Sequence, residues 1–241
     1  MNNRLRNIIF TGLMIAISVI LNQLLSFYYP PSTSIIKFGI GFVPIIFVSI
    51  VFGPKYGVFA GAAADIIGWL LLGATRGAFY FGFTFNAMLY GFVPAFLLSL
   101  TKKANPTVFF TVNLAIVSVF MLISVLYIFD INAISANTSF TNLYRYVFIS
   151  LALLSSALLI VISSNHYRVH KTENEFQKVF FIVLVLYLIT SLVLTPIYVQ
   201  DLYGVSIWAQ LPLRIIKMPV EVLLYTVIVE KLLGLRKQLS I

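Results

Sequence analysis

The sequence predicts an all-α polytopic membrane protein, a single transmembrane domain over residues 1–241 that forms a helical bundle of about eight spans. Hydrophobic residues make up 61% of the chain and charged residues only 10%, whereas a soluble domain carries about 25% charged residues. The apolar residues also occur in long runs, most of which reach the ~20 residues that cross a bilayer as a helix. Because lipid cannot satisfy exposed backbone groups, and because the runs are too continuous for barrel strands, we expect helices.

The predicted spans follow one another with short polar connections. The first comes after Arg4 and Arg6 and is too long for the core of a signal peptide, so we expect it to stay attached. Only residues 53–57 join the second span to the third, and two short helices are favoured there over one re-entrant unit. In order, the predicted spans are 8–27, 37–53, 56–74, 82–100, 107–129, 145–164, 179–198 and 211–231.

The distribution of basic residues predicts the orientation of the chain. With the N-terminus inside, most of the 16 Lys and Arg residues fall on the cytoplasmic side, which favours cytoplasmic positions for both termini. The outer residues are Lys37, Arg76, Arg145, Arg214 and Lys217. All but Arg145 lie at helix ends or in short loops, where the same rule disfavours them, and an anionic ligand arriving from outside would account for these four.

The stretch 210–221 carries three ionisable residues at the beginning of the last apolar run. On a helix, Arg214, Lys217 and Glu221 fall within about 60° of one another. A charge inside the bilayer costs about 2.5–3.5 kcal/mol, so charged side chains there tend to face a cavity, a partner or a ligand. Two cations on one face predict a pocket for an anion. The competing interpretation is structural: both cations neutralise Glu221 and Asp65 inside the bundle.

Asp65 is another ionisable residue that we expect deep in the membrane. At 1.5 Å per residue it lies about 14 Å beyond Tyr56, near the middle of the bilayer. In a structural role, Asp65 would brace a neighbouring helix through backbone and hydroxyl contacts, or act as counter-ion to Arg76 or Lys217. In a functional role, it would accept hydrogen bonds from the ring of a ligand.

The sequence contains no motif for energy coupling or catalysis. It lacks a G-x-x-x-x-G-K-[ST] phosphate loop, the H-E-x-x-H and G-x-S-x-G motifs, and cysteine. His166 and His170 are four residues apart, but we assign them to a polar, solvated loop over Ser163–Lys178 without a third metal ligand. We therefore expect no metal site, no cofactor and no enzymatic activity. A binding subunit served by separate ATPases, an autonomous ion-coupled transporter and, least favoured, a membrane enzyme remain as classes.

Small residues spaced four apart predict close approach between helices. The pairs are Gly12 with Ala16, Gly57 with Gly61, and Ala60 with Ala64. Ordinary packing within the bundle accounts for such pairs, and so does docking on another membrane subunit.

Several motifs resemble the substrate-binding S components of energy-coupling factor (ECF) vitamin transporters. Those motifs are Gly61–Gly68 (GAAADIIG), Gly77–Thr84 (GAFYFGFT) and Leu89–Gly91 (LYG). The segment Leu211–Pro219 (LPLRIIKMP) resembles the folate-specific branch of that family. The resemblance covers roughly 1–100 and 179–235.

The resemblance implies both an architecture and a function. It implies a six-helix core to which 101–178 adds an inserted helical hairpin. It also implies a subunit of an ATP-driven importer that binds folate or a related anionic pterin vitamin from outside, or else another vitamin. The expected partners are a membrane T component and two cytoplasmic ATPases. Gly12 and Ala16 match the small-residue motif by which S components contact the T component.

The resemblance and the side-chain chemistry together nominate the ligand contacts. Arg holds a carboxylate bidentately and Lys adds a point charge. We therefore predict that Arg214 and Lys217 clamp the carboxylates of a glutamate tail, with Glu221 one turn deeper setting their orientation. Aromatic residues in the outer connections would stack on flat rings or form an interfacial belt; they are Tyr80, Phe81, Phe83 and Trp208. The remaining predicted contacts are Arg76, Asp65, Thr84 and Asn86, of which the last two fit ring edges or the start of a helix equally well.

Overall fold

The computed structural model describes residues 3–29, 36–76, 78–101, 104–129, 142–169 and 175–238, in which helices are joined by short connections and one β-ribbon. In chain order the elements are α1 (Asn3–Leu24), β1 (Phe27–Tyr29), β2 (Ile36–Phe38), α2 (Val43–Phe52), α3 (Pro54–Arg76), α4 (Phe81–Leu100), α5 (Pro106–Phe129), α6 (Asn142–Val169), α7 (Glu175–Tyr187), a π-helical segment (Leu188–Leu194), α8 (Thr195–Tyr203) and α9 (Ile207–Gln238).

Five of the described helical stretches are long and apolar enough to cross a membrane. They are Arg4–Leu24, Phe81–Leu100, Pro106–Phe129, Tyr146–Val169 and Glu175–Tyr203, the last of which joins α7, the π-helical segment and α8. Large apolar side chains on these helices, such as Leu13, Leu122 and Leu154, are exposed. Exposed leucines on a membrane-spanning helix face lipid. The predicted all-α polytopic membrane fold is confirmed.

The predicted span 37–53 is wrong at its beginning. Residues Ile36–Phe38 form β2, which pairs antiparallel with β1, so that Phe38 lies opposite Phe27. The helix begins only at Val43 and has Pro44 in its first turn. Proline fits the first turn of a helix because no backbone donor is needed there. The expected break between two helices is present at Gly53, whose φ of 94° ends α2 before Pro54 starts α3.

The prediction of a solvated loop over Ser163–Lys178 is also wrong. Helix α6 continues to Val169 and α7 begins at Glu175, so both ends of that segment are helical. His166 Nε2 lies 3.4 Å from Glu230 Oε1, and the His166 ring stacks on Phe176 with a centroid distance of 4.0 Å. A carboxylate and an aromatic face from other helices therefore hold this histidine in the bundle. His170 lies outside the described residues.

Small residues bring α3 and α4 into backbone contact. A Cβ added to Gly57 would overlap the Gly91 carbonyl, and a Cβ added to Gly61 would overlap the Ala87 carbonyl. Ala60 and Ala64 are buried as well, so both small-residue pairs of α3 serve packing within the bundle.

The small-residue pair of α1 is exposed instead. Gly12 and Ala16 are both exposed, and no described residue lies within 4 Å of a Cβ added to Gly12. Packing among the described residues therefore leaves the Gly12–Ala16 face of α1 uncovered.

Helices α5 and α6 occupy the segment that we predicted to be an added hairpin. A buried polar network joins them to α7: Asn113 Nδ2 donates to the Gln177 carbonyl at 3.0 Å, and Ser163 Oγ donates to Gln177 Oε1 at 3.2 Å. Because each of these groups is buried and bonded, the hairpin is an integral part of the bundle. Its status as an insertion stays a prediction.

The α3–α4 contact predicts opposite effects for two glycines of the same helix. Gly61→Ala should destabilise the protein by about 1–3 kcal/mol because the added methyl group has no room between α3 and α4. Gly68→Ala should leave stability unchanged or raise it by up to ~1 kcal/mol because alanine favours a helix and nothing lies within 4 Å of a Cβ at Gly68. Thermal unfolding in detergent measures both variants. Equal changes in stability for the two variants would contradict the close backbone contact between α3 and α4.

Candidate functional site

Helix α9 directs its three central charges into the bundle, as the helical spacing predicts. Arg214 is 3% exposed and Lys217 is 7% exposed, and the Glu221 side chain is 13% exposed. Burial of three charged groups on one face of a membrane helix requires partners from neighbouring elements. Those partners come from the π-helical segment and from the β-ribbon.

The π-helical segment supplies an acceptor for Arg214. Arg214 Nη1 donates to the Ser191 carbonyl at 3.1 Å, and Nη2 donates to Gln210 Oε1 at 3.1 Å. In π-helical spacing a carbonyl accepts from the residue five positions later, as Thr190 does from the Thr195 N–H. The corresponding residue for Ser191 is Pro196, which has no N–H. The proline therefore leaves the Ser191 carbonyl available to the guanidinium.

The β-ribbon supplies an acceptor for Lys217. Lys217 Nζ donates to the Lys37 carbonyl at 2.5 Å and lies 2.5 Å from Glu221 Oε2. The ammonium also sits 5.3 Å from the centre of the Phe38 ring and 5.9 Å from that of Tyr187. The buried Lys217 ammonium thus links strand β2 to α9.

Three buried tyrosines lie in the same part of the bundle. Tyr90, Tyr187 and Tyr225 are all buried, and the centre of the Tyr187 ring lies 5.9 Å from Lys217 Nζ, which pairs with Glu221. The Tyr90 ring stacks on Phe42 with a centroid distance of 4.3 Å. The inner part of the cluster is therefore a carboxylate among aromatic side chains.

Helix α4 contributes two polar residues that the sequence nominated. Thr84 Oγ1 donates to Asp65 Oδ2 at 2.7 Å, which joins α4 to α3. This contact fits the structural interpretation of Asp65 as a brace, while its contact with a ligand stays a prediction. Asn86 Nδ2 donates to Thr195 Oγ1 at 2.9 Å, which joins α4 to the beginning of α8.

An aromatic cluster lies where α4 begins. The Tyr80 ring packs 5.7 Å from Phe83 and 5.6 Å from Tyr198, measured between centroids. The Tyr80 hydroxyl donates to Asp201 Oδ2 at 2.7 Å, and this hydrogen bond raises the pKa of Tyr80. Tyr80 and Phe83 are therefore brought together, whereas Phe81 is 63% exposed.

The other two nominated residues stand apart from these contacts. Trp208 stacks on Tyr127 of α5 with a centroid distance of 6.1 Å, and the Tyr127 hydroxyl donates to the Trp208 carbonyl. Arg76 ends α3, but its side chain lies outside the described residues.

The structure also adds residues that the sequence analysis missed. Ser191, Gln210 and Tyr187 all contact Arg214, the last through a hydrogen bond from its hydroxyl to the Arg214 carbonyl at 2.7 Å. One signal was available: Pro196 follows Ser191 by five residues inside an apolar run. A proline in a membrane helix frees a carbonyl for another donor.

Comparison with known proteins identifies the family. Residues 6–153 match the family model described as "ECF transporter, substrate-specific component". The chain belongs to this family. The resemblance seen in the sequence motifs is thereby confirmed, and the multi-pass membrane architecture agrees with it.

Two individual proteins are similar to this S component. The Folate transporter FolT of Clostridium novyi (strain NT) is 31% identical over 81 residues, a match that spans 34% of this chain and 44% of the relative's length. A crystal structure of FolT bound with folic acid superposes with a TM-score of 0.53 and 18% identity, covering 93% of this chain and 94% of the other. At that identity the second match shows the shared fold alone.

The Lys217–Glu221 contact predicts a non-additive effect on stability. Lys217→Met should destabilise the protein by about 3–5 kcal/mol because it leaves a buried carboxylate without its counter-ion. The double variant Lys217→Met/Glu221→Leu should recover most of that loss because no buried charge is left over. Thermal unfolding in detergent reports both. Losses that simply add would show that the two side chains are not coupled.

Proposed function

We propose that this S component binds folate or a related anionic pterin vitamin from the outer side of the membrane, and that it acts as the binding subunit of an ATP-driven ECF importer without enzymatic activity of its own. The observation that carries the proposal is the buried cluster of Arg214, Lys217 and Glu221 on one face of α9. Two cations buried within one turn of α9 in a chain of this family support a binding site for an anion.

The chemistry of folate fits the side chains around the cluster. Folate combines a flat pterin, an aromatic linker and a glutamate tail with two carboxylates. Arg214 has a planar guanidinium that can hold a carboxylate through two parallel hydrogen bonds. A ligand carboxylate would take the place of Gln210 Oε1, which now accepts from Nη2. Lys217 adds positive potential, although Glu221 balances part of it.

Similarity to named relatives supports the choice of ligand. The Clostridium novyi relative is named a folate transporter, and the structural neighbour is FolT with folic acid bound. Neither match alone extends a ligand to this chain, because the first covers 44% of the relative and the second is 18% identical. Together with the buried cations they favour folate over other vitamins.

The exposed face of α1 supports the proposed partners. Gly12 and Ala16 are exposed beside the apolar side chains of Ile9 and Leu13. Small residues let the backbones of two membrane helices approach closely. We assign this face to the membrane T component, which two cytoplasmic ATPases would drive. We assign both termini to the cytoplasm, which the excess of basic residues on one side supports.

Ligand binding tests the proposed site. The purified chain in detergent should bind folic acid without hydrolysing ATP. Arg214→Ala should weaken that binding by roughly 10- to 150-fold, because a charged hydrogen bond contributes about 1.5–3 kcal/mol. The same variant should hardly change the binding of pteroic acid, which lacks the glutamate tail. Isothermal titration calorimetry measures all four affinities.

Two results would contradict this proposal in different ways. Binding of another vitamin but not of folic acid would contradict the folate assignment, while the assignment to the family would remain valid. Equal losses for folic acid and pteroic acid, with lower thermal stability of the unliganded variant, would show that Arg214 is a structural brace.

The docking face predicts a separation of binding from transport. Gly12→Leu and Ala16→Trp should block vitamin uptake in cells that contain the whole transporter, because bulk at this face keeps the two backbones apart. Folic acid should bind to both purified variants as tightly as to the wild type. Val220→Trp, at an exposed position on α9, serves as a lipid-facing control. Normal uptake by both α1 variants would place the docking face elsewhere.

A further inference from the structure

The donors and acceptors of the buried cluster are not matched equally. Arg214 donates through both Nη1 and Nη2, and Lys217 donates to the Lys37 carbonyl. Glu221 Oε2 lies 2.5 Å from Lys217 Nζ in a buried ion pair. No other donor among the described residues reaches Glu221. Because a carboxylate accepts at about four lone-pair positions, one ammonium partner leaves acceptor capacity on Glu221.

The tyrosines nearest to Glu221 do not fill it. The Tyr187 hydroxyl donates to the Arg214 carbonyl at 2.7 Å, and the Tyr225 hydroxyl donates to the Gly39 carbonyl at 2.9 Å. The Tyr90 hydroxyl is bonded with Thr190 Oγ1 at 3.0 Å. Glu221 can therefore take a further hydrogen-bond partner beside Lys217. A ligand that brings N–H donors would be such a partner.

We propose that Glu221 is the residue that binds the N–H donor edge of the ligand's heterocycle. In a pterin this is the 2-amino-4-oxopyrimidine edge, which presents two neighbouring N–H groups in one plane. Two parallel N–H groups pair with the two oxygens of a carboxylate, as they do in a guanidinium. The inference rests on the proposed function, and it assigns the ring to Glu221 rather than to the cations.

The surroundings of Glu221 suit a flat ring. Tyr187 is buried near it, with its ring centre 5.9 Å from Lys217 Nζ, and offers an aromatic face on which a heterocycle can pack. Lys217 stabilises the ionised carboxylate, which accepts hydrogen bonds and donates none. A ring bound here needs no positive charge of its own, because the ion pair is already neutral.

The positions of the charges on α9 give the ligand a direction. Glu221 follows Arg214 by two turns, so the two residues lie on the order of 10 Å apart along the helix axis. A ring at Glu221 and a tail carboxylate at Arg214 would place the aminobenzoyl linker between them. The ring then points towards the cytoplasm and the glutamate tail towards the outer side.

A pair of ligands tests this assignment within each variant. Wild-type protein in detergent is titrated with folic acid and with an analogue in which a methyl group replaces the 2-amino group. The wild type should prefer folic acid by roughly 10- to 150-fold, as expected for a hydrogen bond to a charged acceptor. Glu221→Gln should reduce this preference at least fivefold, and Lys217→Met/Glu221→Leu should abolish it. The preference is the ratio of two affinities measured on the same variant. A substitution that weakens both ligands equally therefore leaves this ratio unchanged.

Asn113→Ala is the matched control. Asn113 is a buried amide whose Oδ1 has no hydrogen-bond partner among the described residues, and it lies in the α5–α7 network. This variant should keep the wild-type preference. If Glu221→Gln and the double variant also kept the wild-type preference for folic acid, the inference about Glu221 would be overturned. The proposed folate binding would remain valid. A wild type that bound neither ligand would overturn the proposed function and this inference with it.

Discussion

A charged side chain surrounded by hydrocarbon must find its partners within the protein, and helix α9 buries three such side chains. Arg214 reaches the π-helical segment, while Lys217 reaches strand β2 and Glu221. These contacts connect parts of the chain that are far apart in sequence, up to 180 residues in the case of Lys217 and Lys37. The arrangement of α7, α8, α9 and the β-ribbon around the proposed site follows from the need to satisfy these charges.

The π-helical segment shows how one residue can create a partner. Pro196 cannot donate a backbone hydrogen bond, so the Ser191 carbonyl lacks its helical donor. In lipid an unsatisfied carbonyl is costly, and Arg214 removes that cost by donating to it. The same contact holds the guanidinium close to Gln210. A local irregularity in the helix is thus part of what positions the cation.

The bundle separates two kinds of surface. Backbone contact at Gly57 and Gly61 holds α3 against α4, and α4 in turn carries Asn86 and Tyr90 towards the interior. The comparable small residues of α1 have no such neighbour among the described residues. The proposed binding site and the proposed docking face therefore lie on different helices.

The sequence by itself determined the helical class, the common face of Arg214, Lys217 and Glu221, and the family. These features are local, since they depend on the length of apolar runs, on helical spacing and on short motifs. Only the tertiary structure decided that β2 covers Lys217, that His166 packs against other helices of the bundle, and that Tyr187 lies against Arg214 and Lys217. Hydrogen-bond partners from distant segments depend on how helices pack, and neither periodicity nor composition records that packing.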